Sequence, residues 1–98
     1  MTALDVLREA RHVVENGGDS TSCKIGPFCL RCCLALAKTA LDRRAGKEPG
    51  WPVDFWLTMG DLPLLSARDA VAKYDGGVAH DQASALALLG RVINEEAT

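Results

Sequence analysis

At 98 residues, 48% of them apolar, the chain has the size of one domain and can bury a core without disulfides or metal. Its formal charge of −2 argues against general affinity for nucleic acid, which needs a clustered basic surface. No apolar run approaches the roughly 20 residues of a membrane span, and "MTALDVLREARHVV" lacks a charged n-region followed by an apolar stretch, so a cytoplasmic location is expected.

The first segment, "TALDVLREARHVVENGG", carries apolar residues at Leu4, Val6, Leu7, Ala10, Val13 and Val14, the spacing of a helix with one apolar face. Thr2 with Asp5 forms a capping-box pattern, and Asn16-Gly17-Gly18 supplies a stop that accepts positive φ. A polar loop follows. Pro27 suits a first helical position, where no N–H is needed, and opens the most apolar helix, "FCLRCCLALAKTALDRRAG". There Phe28, Cys32, Cys33, Leu36, Ala40 and Leu41 are read as one wide face. Leu30, Leu34 and Ala37 fall elsewhere, which implies burial around much of the circumference, and Gly46 ends the helix.

"KEPGWPV" is a turn, and "DFWLTMG" reads as a helical turn or as a short extended piece near 51–57. Trp51, Phe55 and Trp56 fall within six positions of one another. They are either a core lid or a patch for a partner, since Trp is enriched at binding hot spots. In "SARDAVAKYDGG", Ser66 with Asp69 suggests another capping box. Asp81 is an N-cap candidate for the last helix, whose face is read as Leu86, Leu89, Gly90 and Ile93 with Leu88 and Val92 at its edges. Four main helices and no convincing strand predict one all-α domain spanning 1–98. A short hairpin between Gly17 and Gly26 is the competing local reading.

The chemistry-bearing stretch is "CKIGPFCLRCC", which holds all four cysteines between Cys23 and Cys33. Zinc takes four tetrahedral ligands at about 2.3 Å. Cys29 and Cys32 have a suitable two-residue spacer, and Cys23 could add a loop ligand. Cys33 is a poor fourth, because it sits about 100° around a helix from Cys32. Cys29 and Cys33, four apart, share a face instead. His12 or His80 could complete such a set. A thiol enzyme would use Cys29 in the first helical turn, where the dipole activates a thiol, with His12 or His80 as base. The residues favour a third reading, in which Cys29, Cys32 and Cys33 are small buried hydrophobes.

Other candidates are weaker. Asp75 and Asp81 flank His80, although helix capping explains both. Arg43, Arg44 and Lys47 form a small basic group at a helix end. The last two helices could mimic a helix-turn-helix, but His80-Asp81-Gln82-Ala83-Ser84 is acidic and sparse where a recognition helix carries base-reading side chains.

"CLRCCLALAKTAL" resembles the middle of WhiB-type iron–sulfur regulators of actinobacteria. Those space their cysteines more widely and follow them with a glycine–tryptophan turn, which "PGWPV" is not. The chain as a whole resembles a family of short actinobacterial and phage proteins. These have an amphipathic first helix, a Cys-x-x-Gly-Ala-Leu helix, a Trp-Asn-Asp turn and a last helix ending Leu-Asp-x-Ala-Ile. The matching stretches are "VLREARHVVENGG", "FCLRCCLALAKTAL" and "KYDGGVAHDQASALALLGRVI". Tyr74 and Asp75 stand at the turn, and Gly90, Val92 and Ile93 in the closing motif. Cys32-Cys33 replaces the glycine position and Gly90 an aspartate. The resemblance implies a phage or actinobacterial context and no catalytic residue.

The expected function is therefore a small non-enzymatic module, without cofactor, that binds a host protein or a second copy of itself, through Trp51, Phe55 and Trp56. The alternatives are a zinc module, less so an iron–sulfur one, on Cys23, Cys29, Cys32 and Cys33, or a thiol enzyme using Cys29.

Overall fold

The computed structural model describes residues 2–18, 26, 28–46, 62–74 and 77–98. Expectations at Cys23, Pro27, Trp51, Phe55, Trp56 and Asp75, including the hairpin and the extended piece, fall outside these residues. Four helices are described and no strand among them: α1 Ala3–Glu15, α2 Leu30–Arg44, α3 Leu62–Ala72 and α4 Gln82–Ala97. The all-α reading holds.

Helix α1 begins and ends as its sequence dictates. The Asp5 amide donates to Thr2 Oγ1 at 3.4 Å, while the Thr2 amide donates back to Asp5 Oδ2 at 2.9 Å, a complete capping box. At the other end the Gly18 amide reaches the Val13 carbonyl at 2.8 Å and the Gly17 amide the Val14 carbonyl at 3.1 Å. That pair of bonds is a Schellman motif, and it needs the positive φ of 104° at Gly17. Val6, Leu7, Ala10 and Val14 are buried, with Val13 packed at their margin.

Helix α1 is the hub, packing against α2, α4 and α3, while α2 also packs on α3. The shared core is aliphatic: Leu7, Leu30, Leu34, Leu64 and Leu89 are its largest fully buried side chains. Each such residue contributes about 1.5–3 kcal/mol relative to exposure. Phe28 and Tyr74 lie at its margin.

Four sequence expectations need correction. Helix α2 starts at Leu30, not at Phe28. A turn closed by the Cys29 amide on the Gly26 carbonyl at 3.3 Å precedes it, leaving Cys29 extended as N-cap. The buried face of α2 is Leu30, Cys33, Leu34 and Ala37, joined by Lys38. Cys32 and Leu36 are only half-buried. Leu30, Leu34, Ala37 and Leu41 follow the three-and-four spacing of a single stripe, which the broad run of apolar residues obscures.

Helix α3 begins no later than Leu62, so Ser66 sits exposed inside it and caps nothing. The stripe Leu64, Ala67, Ala70, Val71 sets that register, and Pro63 is tolerated in the first turn, where its missing N–H leaves no orphan. In α4, Asp81 is the N-cap, accepting from the Ser84 amide at 2.7 Å. Its face is centred on Ala85, Leu89 and Val92, with Leu86, Leu88 and Ile93 alongside. Counting only large residues hides Ala85, and that rotates the apparent face.

Candidate functional site

The start of α2 gathers three cysteines, all thiols. Cys29 is the N-cap, with φ −64° and ψ 112°, and its side chain makes no capping hydrogen bond. Its carbonyl receives the Cys33 amide at 3.0 Å, the first rung of the helical ladder. Cys29 is 2% exposed and Cys33 0%, both within the buried apolar set. Cys32, turned away from Cys33 by one helical step, is half-buried. Cys29 thus lies one position before the first turn rather than in it, and it faces the core.

That arrangement divides half-buried Cys32 from the buried pair Cys29 and Cys33. Among the described residues no three of histidine, cysteine, aspartate or glutamate group in a way that could hold a metal ion. Cys23 lies outside these residues. The two histidines are exposed, His12 on α1 beside Glu15 at 3.9 Å and His80 just before α4. The Asp81 carboxylate is engaged in capping Ser84, so the structural role foreseen for it beside His80 holds. Its hydrogen bond from the Ser84 amide keeps its pKa below the ordinary carboxylate value.

Three polar features escape sequence reasoning. Lys38, 8% exposed, sits in the buried face of α2 with its Nζ 2.6 Å from Asp42 Oδ1. The four-residue spacing of this pair could have signalled it. Arg44, from the basic group at the end of α2, pairs with Glu9 of α1. That bridge lies on a shallow groove of about 460 Å³ between Asp5, Arg8, Glu9 and His12 on one side and Leu41, Arg44 and Ala45 on the other.

The third feature joins the turn after α3 to the last helix. The Tyr74 hydroxyl donates to Glu95, and the Arg91 guanidinium stands 4.9 Å from the centre of the tyrosine ring. The hydrogen bond to Glu95 holds the phenol's pKa above its ordinary value. No sequence signal joins residues 21 apart.

Chemically, the described surface offers paired charges and buried thiols. No helix among the described residues is long and apolar enough to cross a membrane. No protein-family model matches the chain, and comparisons with curated proteins and with solved structures give no match.

Proposed function

We propose that the chain is a small non-enzymatic module that binds another protein, a host factor or a second copy of itself, in the cytoplasm of an actinobacterium or a host of its phage. The setting rests on the residue resemblance alone. The structural observation that carries the binding reading is Leu62. It is a large hydrophobic side chain left 74% exposed at the start of α3. It follows, a few residues on, the stretch that holds Trp51, Phe55 and Trp56. A single exposed leucine is ordinary. One that follows an aromatic-rich stretch in the sequence is a stronger lead, because Trp is enriched at binding hot spots. Burial of Cys29 and Cys33 weighs against a thiol enzyme, because a substrate from solvent meets neither sulfur.

The test compares wild-type protein with Leu62→Asp and with the double variant Trp51→Ala/Trp56→Ala. Each is immobilised in an actinobacterial lysate, and captured proteins are quantified by mass spectrometry. Self-association is measured by sedimentation. Leu62→Asp should keep the wild-type melting temperature and lose most of the captured partner or the dimer. A monomer that enriches no protein over a scrambled-surface control sinks the reading.

A further inference from the structure

We propose that Cys29 and Cys32 form a reversible disulfide, making the start of α2 a thiol-oxidation site. The inference is independent of partner binding. It begins with position: Cys29 is the N-cap of α2 and Cys32 is its N3 residue. Helix α1 shows what those two positions do to side chains in this protein. There Thr2 is N-cap and Asp5 is N3, and Thr2 Oγ1 lies 3.4 Å from Asp5 Oδ2. Helix α4 repeats the approach, with Asp81 reaching the Ser84 amide at 2.7 Å. In both, an extended N-cap turns its side chain back over the first turn.

Cys29 is extended as well, although with ψ 112° against 170° at Thr2 and 169° at Asp81, and its side chain makes no capping bond. Within a regular helix, residues three apart hold their Cβ atoms about 5–6 Å apart. A disulfide wants roughly 3.5–4.5 Å. Cys29 lies before the first regular turn, so its Cβ is not bound to that helical spacing. Cys33 competes poorly for either partner. It is adjacent to Cys32 but about 100° around the helix, and it lies about 1.5 Å further along the axis from Cys29 than Cys32 does.

Exposure assigns the order of events. Cys32 is partly exposed, while Cys29 and Cys33 are buried, so of these three an oxidant meets Cys32 first. With hydrogen peroxide as oxidant, the Cys32 thiolate attacks one oxygen, the O–O bond breaks, and a sulfenic acid and one water result. Cys29 Sγ then attacks Cys32 Sγ, the S–O bond breaks, and the second water leaves with the Cys29 proton. Two thiols and one peroxide become one disulfide and two waters. Burial of Cys29 does not hinder this second step, which is intramolecular. A small-molecule dithiol such as dithiothreitol reverses it by thiol–disulfide exchange, itself becoming the disulfide.

The experiment treats the full chain with hydrogen peroxide, alkylates it under denaturing conditions and maps it after trypsin digestion. Cleavage at Arg31 separates the two sulfurs, so the proposed bond links the peptide 25–31 to the peptide 32–38. Labelling should fall from four thiols to two, return to four after dithiothreitol, and be unchanged by Cys23→Ser or Cys33→Ala in the number of thiols lost. Cys32→Ser should abolish the link. Fragmentation of the linked pair in the wild-type chain identifies the bonded sulfur, so the answer stands even where Cys33→Ala fails to fold. A bond to Cys23, a bond within peptide 32–38, or four thiols still labelled after peroxide would each overturn the proposal.

Discussion

The side-chain amide of Gln82, in the first turn of α4, donates to the Val14 carbonyl at 3.0 Å and to the Glu15 carbonyl at 3.3 Å. One helix's opening residue thus caps another helix's end. The Val14 carbonyl also receives the Gly17 amide, so both of its lone pairs are used. Gln82→Ala should lower stability by about 1 kcal/mol, the usual net worth of such a bond. Gln82→Glu should cost more, because a carboxylate presents only acceptors to the negative end of the α1 dipole. Urea denaturation of the three proteins checks the order.

Leu34 and Leu36 test the face of α2. Leu34 is fully buried, and Leu36 is half-buried. Leu34→Ala should destabilise by about 2–5 kcal/mol, the range for a leucine deleted from a close-packed core. Leu36→Ala should cost clearly less. Equal losses in chemical denaturation would restore the face expected from the apolar run alone.

Gly77 and Gly90 should respond in opposite directions to alanine. Gly77 has φ +80°, and a Cβ there would stand 3.2 Å from Val71 Cγ2 and 3.5 Å from Arg31 Cγ. Left-handed backbone costs an L-residue about 1–2 kcal/mol before any crowding, so Gly77→Ala destabilises. Gly90 lies inside α4 with nothing within 4 Å of its would-be Cβ. Gly90→Ala should stabilise by about 0.5–1 kcal/mol through helix propensity. Thermal melts of both variants decide it.

The caps set a pH dependence with a definite sign. Asp5 is held below its ordinary pKa first by the hydrogen bond from the Thr2 backbone amide, and Asp81 by that from Ser84. A depressed folded pKa means that the unfolded chain binds the proton more readily. The stabilisation is therefore present above about pH 4 and is lost as pH falls through the folded values. The variants Asp5→Asn and Asp81→Asn should flatten the acid limb of a stability–pH curve, which denaturation midpoints across that range would measure.

Tyr74 runs the other way. Its pKa is raised, chiefly because its hydroxyl donates to Glu95, so its contribution is present below about pH 10 and disappears as pH rises through the folded value. Ultraviolet titration of the phenol should give a midpoint above the ordinary one. In Glu95→Gln that midpoint should move down.

The sequence legibly encoded what is local and repeated. Thr2 with Asp5, Asp81, Gly17 with Gly18, and Gly46 are short-range signals, and each bounds a helix where expected. Registers were harder. In α2 the apolar residues are so dense that several faces fit, and only packing against α1 and α3 selects Leu30, Leu34 and Ala37. Ser66 with Asp69 imitated a start, but burial of Leu64 outweighs a capping pattern inside a continuing helix. At the candidate site, the spacing of the cysteines was visible and their exposure was not, since it depends on how Cys29 enters the helix. Contacts such as Gln82 to Val14 or Arg44 to Glu9 join distant parts of the chain and leave no periodic trace.

The central place of α1 has a consequence for how the chain acquires its structure. Of the four described helices α1 is made earliest, the other three lean on it, and its last turn is closed by a residue 68 positions later. Until Gln82 and Leu89 have emerged, α1 carries a bare apolar stripe that its neighbours cover only in part. A helix of 13 residues without tertiary support is marginal in water. Folding is therefore a late, collective event in synthesis. A nascent chain stalled before α4 would expose that stripe to chaperones and proteases, whereas the finished chain hides it.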